Sequence, residues 1–462
     1  MWFCNLVLCQ TLLGVAFQTP GTALQQIPNL KSLPDSTDEL QRRIDSGGGN
    51  LLLGERKVLR VTRPLVFDLS LHGAISIKSD RGATIVMDGP GPALKILGTH
   101  EGTASPKSFK PSTWNQRMPL ISGIEILGNH ELADGVQLVK TVGVTISNLS
   151  VRWCRHGIHL FERNRNVVIS ACHFYENSGV GIYLDDVNLH QINISSSHIS
   201  YNRQGGVVVR DGNVRNIQVS GCDIEGNMPA DHSSTSTANF LIDLSGSKSD
   251  RSASVAEVSI TGCTIQHSAN YGANGKTVAP GGANIRLQGK EVYPIDSVTI
   301  AGNVLSDTST SVDLEYANDV AISANNFFAP KPTNLRVRHS NRVVVSGNTF
   351  NPRQFVRPGT IRFEDCSDCI LANSTIFQFA SQDGAVVLER CRGCLLNGLL
   401  LRDCGSGIVL RNSIDTTISS CRVSGTKGSG TDISIDSSTQ DTLLSGNRFS
   451  GRKEISSEAL VP

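Results

Sequence analysis

Three charged side chains in the middle of this 462-residue chain, Asp243, Arg286 and Asp313, are of the types that break sugar bonds. A glycosidase sets two carboxyl groups across one glycosidic bond, about 6.5–9.5 Å apart when the enzyme inverts the anomeric centre. A lyase needs a base to take the proton beside a uronate carboxylate and a cation to neutralise that carboxylate as charge develops. Arg286, Arg210 and Lys276 offer the cation, and Asp185, Asp186, Asp211 or Asp243 offer ligands for a calcium ion in its place. Tyr183 and Phe161 supply flat rings for sugar faces. Tyr183, Asp185, Arg210, Glu315 and Arg336 form the expected substrate-binding set around the catalytic trio. Asp243, Arg286 and Asp313 are well separated along the chain, so the chemistry depends on whatever element brings them together.

That element is a repeat. Twelve times between Val144 and Phe449 the chain gives an alternating apolar pair, a small or polar break and another large apolar residue. The clearest copies are Val343–Phe350, Val167–Phe174, Val258–Ile265 and Ile217–Ile224. Successive copies start at a period in the twenties, broken by two adjacent gaps, from Ile217 to Val258 and from Val258 to Val298, that are far longer. Each copy runs on, often through an Asn (Asn177, Asn202, Asn227), to a Gly-rich turn and a second alternating strand, as in Gly157–Leu160, Gly181–Leu184 and Gly407–Leu410. A period in the twenties with period-two alternation and no helical stripe predicts three short strands and three turns per repeat, one rung of a parallel β-helix. A leucine-rich repeat would need Leu-x-x-Leu-x-Leu and a helix-like segment, and Ser, Gly and Asn interrupt every stretch too often for helices.

Alternation then orients the side chains: Ile158 and Leu160 point in, so His159 and Phe161 point out. Continuing this count gives a first outward column of His159, Tyr183, Val208, Asp243, Arg286, Asp313, Arg336 and Arg362. The second is Phe161, Asp185, Arg210, Ser245, Gln288, Glu315, Arg338 and Glu364. Asp243 and Asp313 are thereby expected two rungs apart, or about 9.6 Å, with Arg286 between them lowering both pKa values, which suits a base and handicaps an acid. The two long gaps place about 16 extra residues in each of two adjacent rungs, mostly in 227–239 and 267–282, as walls of a groove over this strand stack. Shorter additions follow at 246–254 and 289–294. Asp and Arg alternating down an exposed sheet also make cross-strand ion pairs that keep the surface soluble, and at this level both readings stand.

Composition narrows the class. With 39% apolar residues, 44 Gly and few aromatics, the chain fits one long solenoid better than several globular domains. A net charge of +1 and no long Lys/Arg run give no footprint for nucleic acid. Residues 1–23 read as a secretory leader, uncharged from Trp2 to Phe17 and followed by the small-residue stretch 19–23, although the usual preceding Lys or Arg is missing. No other segment is long and apolar enough to span a bilayer. Of the twelve cysteines, Cys172, Cys222, Cys263 and Cys421 fall in the slot that holds Asn303, Asn325, Asn348 and Asn447 in other rungs, which predicts buried packing residues. Cys366, Cys369, Cys391 and Cys394 form two Cys-x-x-Cys pairs one rung apart, open to inert stacking, a structural metal or disulfides. No metal ligand set is assigned, and a cofactor is left undetermined apart from calcium in the lyase case.

Along the chain, 24–35 is a linker and 36–451 a single β-helix domain. It opens on a capping helix at 36–45, with Ser36 and Glu39 spaced as a capping box, and carries an outer loop at 99–119. Residues 452–462 form a patternless tail. The run of helix, Gly47–Gly49, strand, Leu59–Phe67, Gly82–Val86 and Gly89–Leu94 resembles the opening of pectate-lyase-like and phage-tailspike-like right-handed β-helices. The later repeats resemble the generic right-handed β-helix region. The resemblance covers nearly the whole chain and implies the pectin-lyase-like superfamily, which includes polysaccharide lyases, glycoside hydrolases, epimerases, esterases and proteins without catalysis, so the fold alone does not choose. The Asn-Thr-Asp, Gly-His-Gly and Arg-Ile-Lys signatures of polygalacturonase relatives are absent, and His156-Gly157-Ile158-His159 is only an echo of them, its first His expected to cap a turn. The reading is an all-β, right-handed parallel β-helix of about twelve to fourteen rungs, secreted or in the cell envelope. Its expected role is lyase or hydrolase on an acidic polysaccharide. A non-catalytic glycan-binding or structural surface protein is the alternative.

Overall fold

The computed structural model describes residues 32–102, 105–228, 237–246, 253–267, 282–328, 332–352 and 358–461. The leader expected at 1–23, most of the expected linker, Lys276 and most of the loops 227–239 and 267–282 lie outside the described residues. The chain winds as an all-β, right-handed parallel solenoid of about 14 turns, with the crossover hand that right-twisted strands favour. Each turn crosses three faces in the order B, C, A. Face B holds segments such as 192–195, 217–220 and 258–261. Face C holds His173–Tyr175, His198–Ser200 and Asp223–Glu225. Face A holds Gly205–Arg210, Ala238–Asp243, Ala283–Gln288 and Thr310–Glu315. All strand pairs are parallel and each residue meets its equivalent one turn on, as in Ile217, Val258, Val298 and Val320.

The repeated phrase has a direct physical cause. Its two alternating apolar residues and the later large one enter a single continuous core, where Phe327 stacks on Phe350 at 4.4 Å. The small residue between them turns the B–C corner in one left-handed step. Gly221, Gly262, Gly302 and Gly347 have φ of 57°, 63°, 66° and 68° there, a conformation that glycine adopts without steric cost. The next residue points into the corner. Asn303 Nδ2 donates to Asn325 Oδ1 at 3.0 Å, and Asn325 repeats the bond to Asn348. Cys263 takes the same slot, its backbone N–H donating to Asn303 Oδ1 at 2.9 Å. A second ladder, Asn177, Asn202, Asn227, Asn239 and Asn284, lines the C–A corner with amide-to-amide bonds of 2.7–3.0 Å.

All ten described cysteines are free and buried, including Cys172, Cys222, Cys263 and Cys421 in the expected slot. Cys366, Cys369, Cys391 and Cys394 are free thiols as well. Among the described residues no group of three or more ligand-type side chains is placed to hold a metal.

The ends differ from the sequence expectation in detail. The capping helix is Thr37–Ser46, and Leu40 and Ile44 enter the core over the first turn. No capping box forms: the Ser36 side chain makes no cap bond, and Asp35 Oδ1 accepts from Thr37 N at 2.9 Å instead. The loop at 99–119 packs on the outside through a stack of His100, Phe109 and Trp114 with ring separations of 4.7 and 4.6 Å. Residues 452–462 are not patternless. Lys453–Ile455 pairs with Ile433–Ile435 and continues face A past residue 451. No described helix is long and apolar enough to cross a membrane.

Candidate functional site

The outward side chains of face A form two groups separated by an apolar patch. The first begins at a C–A corner fixed by Asp134, which is buried and accepts from Arg155 Nε at 2.9 Å, Arg155 Nη2 at 2.6 Å and the His156 backbone N–H at 3.0 Å. His156 Nδ1 accepts from Val180 N at 3.1 Å, so the His156 ring caps this turn and carries any proton on Nε2. Burial pushes its pKa down to about 4, which keeps it neutral at pH 7. Gly179 permits the approach, because a Cβ there would lie 2.7 Å from the imidazole and 2.6 Å from Arg155 O.

His159 and Tyr183 then stand in register on adjacent turns, rings stacked at 5.3 Å and 12°. His159 Nε2 lies 3.0 Å from Asp185 Oδ2, and Gln137 Nε2 lies 3.4 Å from His159 Nδ1. The carboxylate beside Nε2 places a proton on that nitrogen, and the amide N–H of Gln137 faces Nδ1 as the accepting nitrogen. The His159 hydrogen bond lowers the Asp185 pKa against the opposing effect of burial. Burial, then the Asp185 charge, raises that of Tyr183. Phe161, 40% exposed, is the register partner of Asp185, and Arg210 follows on the next turn with its side chain 42% exposed. An imidazole, a phenol, a carboxylate, a guanidinium and an aromatic face therefore share three turns of one face.

Beyond them the floor turns apolar. Val208 and Leu241 occupy the first outward column and are fully buried, clustered with Val180, Ala238 and Ala283 against Tyr183. This corrects the expected column. The partner of Leu241 is Arg286 and the partner of Asp243 is Gln288, so Asp243 belongs to the second column beside Arg210. Residues 238–244 are apolar at both parities except Asn239 and Asp243. The inward pair is Phe240 and Ile242 instead of Ile242 and Leu244. Asp243 is also occupied: Oδ1 accepts from Ser245 N at 2.9 Å and Ser245 Oγ at 2.5 Å, and Oδ2 accepts from Arg210 Nη1 at 3.2 Å. Arg210 thus stands between Asp185 and Asp243, so the calcium set expected from these carboxylates is not assembled around them.

The second group, on the following turns, is a closed ion cluster. Asp313 is 3% exposed and accepts from Arg286 Nε at 3.0 Å and from Arg336 Nε and Nη2 at 2.9 and 2.7 Å. Arg338 lies 3.7 Å from Asp313 and bonds Glu315 at 3.0 Å. Burial would raise the Asp313 pKa, but the bond from Arg336 and the charges of Arg286 and Arg336 hold it below the usual carboxylate range. Arg286 is buried with it, and burial lowers its pKa against the pull of Asp313. An aspartate ringed by three guanidinium groups is a poor general acid, and Asp243 sits in the other column. The expected two-carboxylate hydrolase pair is not formed, and Arg286, Glu315 and Arg336 are committed to this cluster.

Of the residues singled out from sequence, Tyr183, Asp185 and Arg210 are brought together. His159, Gln137 and His156 were missed as a group. The one signal for them was the His156–His159 spacing, which puts a turn cap and an outward ring close together on one strand.

A family model described as right handed beta helix region matches residues 120–249, and one described as periplasmic copper-binding protein (NosD) matches 245–459. No curated protein matches the sequence. Among solved structures, the chain is similar to the pre-mature gene product 12 of bacteriophage phi29, with 14% identity and a TM-score of 0.50 over 95% of this chain and 59% of that one. It is also similar to the Dettilon tailspike protein (14% identity, TM-score 0.44, 89% and 65%). A third is the A-module of the mannuronan C-5 epimerase AlgE6 of Azotobacter vinelandii (14%, 0.34, 93% and 96%). The chain spans less than two thirds of the length of the two phage proteins. It is a right-handed parallel β-helix, the fold of the pectin-lyase-like superfamily.

Proposed function

We propose that this chain works outside the cytoplasm on an acidic polysaccharide, and that it cleaves the polymer by β-elimination at His159, Tyr183, Asp185 and Arg210. The observation that carries the reading is the in-register stack of His159 on Tyr183, with Asp185 bonded to His159 at 3.0 Å. With Nε2–H held by Asp185, the imidazole presents Nδ1 as its basic atom, and Gln137 is the group that must give way to substrate. Nδ1 takes the C5 proton of a uronate; the C5–H electron pair becomes the C4=C5 double bond; the C4–O bond breaks; and the leaving oxygen takes a proton from the Tyr183 hydroxyl. The phenolate regains a proton from the imidazolium, which closes the cycle. A phenol with a raised pKa is a poor base at neutral pH yet still protonates a departing alkoxide, which fits Tyr183 to the acid role. Arg210 neutralises the uronate carboxylate and Phe161 stacks on the neighbouring sugar. Export is supported by the uncharged run from Trp2 to Phe17.

The test is incubation of the full chain with polyuronates while following unsaturated-product absorbance. Tyr183→Phe and His159→Asn should each lower turnover by a factor of about 10²–10⁴, with binding retained. Polyuronate binding without any unsaturated product in wild type favours the non-catalytic glycan-binding reading. Wild-type activity that survives in both variants places the chemistry elsewhere.

A further inference from the structure

The same turns that carry His159 and Tyr183 continue round the A–B corner, and there the outward side chains are cationic. Arg165, His190 and Arg215 are register partners on three successive turns, and Arg163 precedes Arg165 on the same strand. In-register parallel strands space such residues about 4.8 Å apart, close enough for like charges to destabilise one another. The titration directions show that they do: burial and then Arg165 lower the Arg163 pKa, and burial, then Arg165, lower that of His190. Neither Arg163 nor Arg215 forms an ion pair among the described residues. Arg215 spends its donors on Val214 O, Ser254 O and Ser254 Oγ. Glu257 is the carboxylate that opposes the cations at His190, and its own oxygen is taken by Asn216.

Two polar atoms in this group, Arg163 Nε and His190 Nδ1, are buried without a hydrogen-bond partner. A buried polar atom left unsatisfied costs stability, and a fold gains nothing by collecting like charges around two of them. One side of the corner is aromatic. Arg165 lies 4.5 Å over the Phe109 ring, which stacks on Trp114, and Trp114 is 40% exposed.

We propose that this corner is a binding site for the oxyanion groups, carboxylate or sulfate ester, of an acidic polysaccharide, with Arg163, Arg165 and Arg215 as its cations around His190 and Trp114 as a stacking face. The bound oxyanion neutralises the guanidinium cluster. The site names the ligand class of the proposed elimination site and adds a second contact for the same polymer, but it does not depend on catalysis.

The experiment is equilibrium binding of the full chain to a polygalacturonate oligomer, a heparin oligomer and neutral dextran at about 0.15 M salt, where exposed charges are screened beyond about 8 Å. Binding of at least one acidic oligomer and none of dextran is expected. Arg163→Gln and Arg165→Gln should each weaken it at least tenfold, whereas Arg402→Gln, a change at an exposed arginine far along the solenoid, should leave it unchanged. The preferred oligomer separates carboxylate from sulfate recognition. In thermal scans, sulfate should raise the midpoint of wild type more than that of Arg163→Gln. No binding of either acidic oligomer, an equal loss in Arg402→Gln, or sulfate shifts identical in wild type and variant would each overturn the proposal. Binding that meets these criteria in a protein with no lyase turnover would overturn the elimination reading and leave this one standing.

Discussion

Replacing Asp313 by alanine separates the two meanings that an Asp–Arg alternation can carry. On an open ladder, loss of one carboxylate removes an exposed pair of about 0–1 kcal/mol. In the structure Asp313 is 3% exposed and the side chain of Arg286, bonded to it at 3.0 Å, is 7% exposed. Arg336 and Arg338 approach the same carboxylate. Arginine cannot discharge itself in a protein, so Asp313→Ala leaves Arg286 charged and buried. Breaking a buried pair by removing one partner costs about 3–5 kcal/mol, and that is the loss expected for this variant. Removing both charges with apolar residues of similar volume, as in Arg286→Met with Asp313→Leu, should return most of the stability, since the double change removes both buried charges together. The assay is urea unfolding of wild type, both single variants and the double, followed by far-UV circular dichroism. Because a solenoid can unfold in parts, hydrogen exchange in 283–288 and 310–315 should be read alongside. A single variant within about 0.5 kcal/mol of wild type, or a double variant no better than the worse single, would refute the closed-cluster account and restore the open ladder.

Other outcomes follow from the buried groups. His156 and His100 are each held near a pKa of about 4, His156 first by burial and His100 first by burial and then by Arg163, whereas an unfolded histidine titrates near 6.5. Between those values the unfolded chain takes up protons that the folded one refuses, so stability should fall as pH drops from about 6.5 to 4. The full loss is about 3 kcal/mol for each histidine. His156→Asn should flatten its share of that slope, and an unchanged slope in urea titrations at several pH values would contradict the assignment. Gly179→Ala should cost about 1–3 kcal/mol and disturb His156 as well, seen as a shifted imidazole signal by NMR. Cys172, Cys222, Cys263 and Cys421 should resist thiol labelling in the native protein and react on unfolding, and rapid native labelling at any of the four would contradict their burial.

The fold was legible because each turn repeats the same instruction. The apolar pair and the left-handed corner residue recur from turn to turn, in most turns with an Asn or Cys behind the corner, and a solenoid adds turns without new long-range rules. The capping helix and outer loop could be read for the same reason, as departures from the period. Exposure could not. Alternation tells which way a side chain points but not what lies against it, and so Arg286 and Asp313 read as groove residues when they are buried with one another. The paired histidines were visible as a motif. Their meaning needed Asp134, one turn before His156, and Gly179, one turn after it, which meet only when adjacent turns stack.

The phase error at Asp243 shows where the missing information lay. Apolar alternation is a weak anchor for a strand such as 238–244, which is hydrophobic at both parities. The C–A corner gives a stronger one: each turn places a small or amide residue there, and Gly157, Gly181, Gly206, Asn239, Asn284, Ser311 and Asn334 stand two positions before His159, Tyr183, Val208, Leu241, Arg286, Asp313 and Arg336. These corner residues are buried, because a large side chain would push the next turn away. Gly206 shows this directly, since a Cβ there would lie 2.4 Å from Asn239 O. Counting from the corner residue puts Leu241 under Val208 and Asp243 beside Arg210, as the strand register does. In a parallel solenoid the polar corner ladder therefore fixes which side chains share a column, and the apolar strand only follows it.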